Sequence, residues 1–142
     1  MRNLFLLSIL VILFAGSCKE DEPIPQETDF AYQIMIETPT TDDKHVDDFM
    51  QIKAIFESQT GQTVHHVNIR IVSLDGNTEI YNKPNEAHVH ATNGSFTFED
   101  DFELSNANGV MEHTDWVLEA MVWGEIDGLD EVIQKVQFHV HP

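Results

Sequence analysis

One cysteine, Cys18, stands in the 142-residue chain, so no disulfide can close within it. Basic residues are scarce too. Seven Lys and Arg face 25 Asp and Glu, for a formal net charge of −18. A surface of that sign repels nucleic acid and anionic lipid, which excludes a nucleic-acid partner. It suits solubility and attracts cations weakly, as any solvated acidic face does. A glycine-rich phosphate loop is missing, as are a Gly-x-Ser-x-Gly nucleophile elbow and a His-Glu-x-x-His zinc-protease helix. The chain therefore reads as a non-enzyme. No stretch keeps a 3.6-residue apolar period, which argues against a helical bundle.

Long apolar runs are absent except at the N-terminus, where LFLLSILVILFAG (Leu4–Gly16) follows Arg2. A short basic start and a brief apolar core make a secretory signal over residues 1–17, too short for a comfortable membrane span. It ends in AGS directly before Cys18, which resembles the lipobox of bacterial lipoproteins. The resemblance implies that Cys18 is lipid-modified, palmitate included, and anchors the chain to the outer membrane. Losing residues 1–17 would remove Arg2 and change the charge from −18 to −19. Lys19–Glu22 (KEDE) resembles the surface-export signal of Bacteroidota lipoproteins and implies exposure on the cell surface. Residues 18–29, acidic and holding Pro23 and Pro25, read as a disordered tether. Residues 30–142 make one domain of ordinary size.

That domain alternates with period two, so the expected fold class is all-β. FAYQIMIET (30–38) sets Phe30, Tyr32, Ile34 and Ile36 on one face and stops at Pro39. FMQIKAIFE (49–57) points Met50, Ile52, Ala54 and Phe56 inward. VHHVNIRIVS (64–73) buries Val67, Ile69 and Ile71 and turns His66, Asn68 and Arg70 to water. Asp75-Gly76 marks a tight turn before a short strand, EIYN, and AHVHA is another. SFTFEDDFEL (95–104) alternates Phe96, Phe98, Asp100, Phe102 and Leu104. DWVLEAMVWG (115–124) carries Trp116, Leu118, Ala120 and Val122 on one face. A hairpin turn, DGLD (127–130), precedes EVIQKVQFHVH (131–141), with Val132, Val136, Phe138 and Val140 inward. The segment Thr40–Asp48 reads as a polar loop. Seven to eight short strands in this spacing fit an immunoglobulin/fibronectin-like β-sandwich, with a small barrel or jelly roll as the alternative.

Taken together, AGSCKEDE, FMQIKAIFE, VHHVNIRIV, AHVHA, SFTFEDDF and the closing FHVHP resemble a family of uncharacterised Bacteroidota surface lipoproteins with a His-containing immunoglobulin-like domain. That resemblance implies a fold and a location and no mechanism.

Eight histidines remain to be explained. In a strand, residues i and i+2 share a face, so His88 pairs with His90 and His139 with His141, about 6–7 Å apart at the backbone. Two imidazoles at that spacing reach one metal ion, and zinc and copper both accept neutral imidazole. His113, His66 and His45 are candidates for a further ligand. A site needs either the two His-Val-His strands side by side or one of them joined by His113. His65 and His66 point to opposite faces on plain alternation, which makes His65 a core or edge residue. The pairs Asp42–Asp43, Asp47–Asp48 and Asp100–Asp101 lack the spacing of an EF-hand calcium loop. Trp116 reads as core. Trp123 reads as packed, with an exposed binding aromatic as the alternative. Against the metal site stands the plain reading of histidine as a polar outward strand position. The resulting expectation is a surface-anchored binding module, for zinc or copper through His88, His90, His113, His139 and His141, or for a protein or glycan partner with no metal.

Overall fold

The computed structural model describes residues 32–58, 61–84, 87–125 and 131–142. The expected signal peptide (1–17), the expected tether with Cys18 (18–29), Phe30 and the expected turn at 127–130 lie outside the described residues. Nine strands follow in order: β1 Tyr32–Thr38, β2 Lys44–His45, β3 Phe49–Ser58, β4 Val64–Ser73, β5 Glu79–Lys83, β6 His88–Ala91, β7 Ser95–Glu103, β8 Thr114–Trp123 and β9 Val132–His141. One 3₁₀ turn, Asn106–Asn108, links β7 to β8.

Two sheets form from these strands, giving an all-β sandwich. One has the order β1-β3-β7 and the other β2-β9-β8-β4-β5, with β6 also paired to β4. The expected alternation sets what lies between them. Met50, Ile52, Ala54 and Phe56 of β3 are buried, and so are Val67, Ile69 and Ile71 of β4. Trp116, Leu118, Ala120 and Val122 of β8 complete the layer with Phe138 and Val140 of β9. Each large side chain removed from water contributes about 1.5–3 kcal/mol. In β9 the inward row thins out: Val132 and Val136 are half-buried, and Ile133 is exposed.

The expected polar loop at 40–48 holds the extra strand. β2 runs parallel to the end of β9, with Lys44 opposite Val140 and His45 opposite His141. The Asp48 carboxylate accepts the His45 N–H at 2.9 Å, and Val46 N–H donates to the His141 carbonyl at 2.9 Å. Two residues are too few to show alternation, so composition alone read them as loop.

Asp100 sits in the inward row of β7 among phenylalanines, yet it is satisfied. Tyr81 donates its hydroxyl to Asp100 at 2.7 Å and Lys83 its ammonium at 2.9 Å, so β5 of one sheet is tied to β7 of the other. Burial pushes the Asp100 carboxyl up, but the hydrogen bonds from Lys83 and Tyr81 outweigh it and hold it below the usual range. Burial, with Asp100 alongside, pushes the Tyr81 hydroxyl up.

The turn between β6 and β7 depends on Gly94. Its φ is +77°, and a Cβ there would stand 2.8 Å from the Gly61 Cα. Its carbonyl accepts the Ser58 N–H at 2.9 Å. Alanine at this position carries both a left-handed backbone penalty and a backbone clash. Gly94→Ala is expected to lower stability by about 1–2 kcal/mol, read as a lower urea midpoint at unchanged m-value.

Candidate metal centre

The histidines gather at the two ends of the larger sheet. β8 places Thr114 opposite Val140 at one end and Trp123 opposite His66 at the other. At a strand rise of about 3.3 Å those ends lie about 30 Å apart. His45, His113, His139 and His141 collect at the Thr114 end, and His65, His66, His88 and His90 at the Trp123 end. The two His-Val-His segments therefore do not converge. β6 pairs with β4 and β9 with β8, and each segment meets a third histidine of its own.

At the Thr114 end, His113, His139 and His141 each present one ligand atom, all within 4.8 Å of one another. His139 and His141 alternate with buried Phe138 and Val140, so both leave the core on one face of β9. Their rings are 4.6 Å apart. His113 precedes β8 with φ of 57°, and its N–H donates to the Val140 carbonyl at 2.8 Å. That bond holds its ring 6.4 and 6.3 Å from those of His139 and His141.

Acidic side chains surround the group. Asp115, directly opposite His139 across the ladder, accepts a hydrogen bond from His139 Nδ1 at 2.9 Å. A carboxylate can only accept in that bond, so Nδ1 carries the hydrogen, and in the neutral imidazole Nε2 keeps the lone pair. Asp43 lies 3.4 Å from His141 Nε2, and the His45 ring is 5.8 Å from that of His141. His113 and Asp115 also line a cleft of about 470 Å³ whose wall includes the exposed Leu74 and Met111.

At the Trp123 end, His65 joins His88 and His90, again with ligand atoms within 4.8 Å. This corrects the expectation that His65 faces away from His66, although its side chain is largely buried, as a core or edge position implies. Val64 and Val67 are both fully buried although three residues apart, so plain alternation is broken between them. The β4–β6 register shifts at the same place, and His90 adopts φ of 49°. The result brings the His65 ring to 6.2 Å from His66 and 5.2 Å from His90. Burial pushes the His65 ring below the usual imidazole range. Glu125 opposes this, and His90, His66 and His88 add to it.

The remaining candidates have other partners. Asp100 is held by Tyr81 and Lys83, and Asp48 bonds the His45 backbone. Trp116 is fully buried, as expected, and Trp123 stacks on His66 at 5.3 Å and 8°. Among the described residues, both groups able to hold a metal are made of histidine alone.

An all-β sandwich with a histidine cluster at each end of its larger sheet is thus the class of protein in hand. No family model matches the chain, and no curated protein matches it. Its fold is similar to the CARDB domain of a Pyrococcus furiosus protein in solution, at 11% identity and a TM-score of 0.51, covering 78% of this chain and 94% of that one. A crystal structure of that domain in complex with di-metal ions aligns at 11% identity and a TM-score of 0.47, over 80% of this chain and 97% of that one. The C-terminal domain of Wzt aligns at 13% identity and a TM-score of 0.45, over 78% and 71%. At such identities the likeness concerns the fold.

Proposed function

We propose that this protein is a transition-metal-binding module that holds zinc or copper through His113, His139 and His141. The convergence of their three ligand atoms within 4.8 Å carries this reading. Zinc–nitrogen bonds of about 2.0–2.1 Å set tetrahedral ligands about 3.3 Å apart, so modest side-chain rotation closes the group on an ion. Asp115 supports it by fixing His139 with Nε2 bare. Asp43 and His45 stand near enough to His141 to compete for a fourth position. Capture is the role assigned, since the chain carries neither a Gly-x-Ser-x-Gly elbow nor a His-Glu-x-x-His helix. The N-terminal sequence supports presentation at the outer surface through a lipid on Cys18.

A protein- or glycan-interaction module without metal is the competing reading. It draws on Phe49, an aromatic side chain left 75% exposed at the start of β3 beside a cleft that includes Pro39 and Lys44. Metal content separates the two. Protein purified without affinity tag or chelator is titrated with zinc and copper against a chromophoric competitor. Saturable, sub-micromolar binding at whole-number stoichiometry supports the metal module. Weak binding of many ions sinks it and directs attention to Phe49.

A further inference from the structure

We propose a second, independent transition-metal site at the opposite end of the sheet, ligated by His65, His88 and His90 and positioned by His66. It shares with the reading above the class of ion and none of the residues.

Three observations build the site. The ligand atoms of His65, His88 and His90 lie within 4.8 Å of one another, and the three come from two hydrogen-bonded strands. The local geometry departs from an ordinary ladder to allow this. Alternation breaks at His65–His66, the register shifts, and His90 takes a positive φ. A non-glycine residue in that region is strained, and such departures concentrate at functional sites. Glu125 adds a carboxylate 3.7 Å from His65 Nε2.

His66 supplies the third observation. Its Nδ1 lies 2.7 Å from the Gly124 carbonyl. A carbonyl only accepts, so His66 Nδ1 carries the hydrogen, and the neutral ring leaves Nε2 as a lone pair. That Nε2 lies 3.2 Å from His88 Nδ1. His88 Nδ1 must then be the donor, which leaves His88 Nε2 bare for a metal. The chain of donors runs one way, from His88 through His66 to the Gly124 backbone. Stacking on Trp123 holds the His66 ring flat while it does this. His66 is thus a positioning residue, in the place that a carboxylate or carbonyl behind a ligating imidazole ordinarily takes.

The test uses the full chain with His113→Ala, His139→Ala and His141→Ala combined, which removes the first centre. This variant is expected to keep one tight equivalent of zinc, and copper(II) is expected to quench the Trp123 emission. Loss of all tight binding overturns the second site. Wild type that still binds one equivalent in that case leaves the first centre standing, so the two failures are distinguishable. In the same background His66→Phe keeps a ring against Trp123 but removes both hydrogen bonds. It is expected to weaken zinc by about 10–100-fold, the usual effect of losing an outer-shell partner. His66→Gln, whose amide both donates and accepts, is expected to restore most of the affinity. Equal affinity in all three overturns the positioning role. Nitrogen-15 spectra of the metal-free wild-type protein give a reading that needs no variant. His88 protonated on Nδ1 agrees with the donor chain, and His88 protonated on Nε2 overturns it.

Discussion

With His139 and His141 both replaced by alanine, zinc affinity at the β8–β9 end is expected to fall at least a hundredfold, about 2.8 kcal/mol. Two of three converging ligands are gone, and His113 alone holds no ion in preference to water. The fold should tolerate the change, because the two side chains are 30% and 40% exposed and neither fills the core. His139 also gives up its bond to Asp115, a partly exposed pair whose loss costs about 1 kcal/mol or less. Metal-free stability should therefore move little, while the stabilisation that zinc confers on the wild type should be reduced. A ligand at a hundred times its dissociation constant adds about 2.7 kcal/mol, so thermal melts with and without zinc read the difference directly. Asp115→Asn separates ligation from orientation. It keeps the shape but lets the side-chain amide offer a proton to His139, and about a tenfold loss is expected. An unchanged number of tight zinc equivalents in the double variant would remove the basis of the proposed centre.

How far the sequence foretells this arrangement differs by level. Strand existence was legible because each long strand buries one face. Val67, Ile69 and Ile71, or Trp116, Leu118 and Ala120, can alternate only one way on a pleat with one apolar side. Strand order was not legible, because which strand lies beside which depends on contacts far apart in sequence. Each His-Val-His pair was foreseen to share a face, but its third ligand depended on that order. His113 meets β9 because β8 pairs with it, and His65 meets β6 because β4 does. The reading of which way His65 points failed for a local reason. Two valines three apart, Val64 and Val67, flank the two histidines, and both are buried. Period two cannot place both inside, so that spacing was itself a sign of an irregularity. β2 left no such sign, since its two residues are held by the β9 backbone and by Asp48.

Glu119→Ala is expected to cost about 2–3 kcal/mol of stability, a large effect for a residue that touches neither histidine group. Leu118 and Ala120 point into the core, so Glu119 faces the other side of β8, yet it is buried. Its cover comes from the neighbouring strands. Arg70 of β4 and Lys135 of β9 stand directly opposite it, and the carboxylate accepts Arg70 Nε at 2.7 Å, Arg70 Nη2 at 2.6 Å and Lys135 Nζ. Removing a buried carboxylate from such a row ordinarily costs 3–5 kcal/mol, through the charges left behind. Here Arg70 and Lys135 are 39% and 57% exposed, so water rescues them in part and the expected loss is smaller. The pH dependence carries the same information. Burial pushes the Glu119 carboxyl up, but the hydrogen bonds from Lys135 and Arg70 prevail and hold it below its ordinary value. A depressed folded value means that the contact contributes fully above the unfolded value, about 4.3, and is lost as the pH falls through the lower folded one. Glu119→Gln keeps the shape without the charge. Its stability should be lower than wild type at pH 7 and should converge on wild type in acid, as the wild-type carboxylate takes up its proton. Urea unfolding at pH 7 and at stepwise lower pH measures this. A constant gap between the two proteins across the acid range would mean that Glu119 acts through packing, with its charge of no consequence to the sheet.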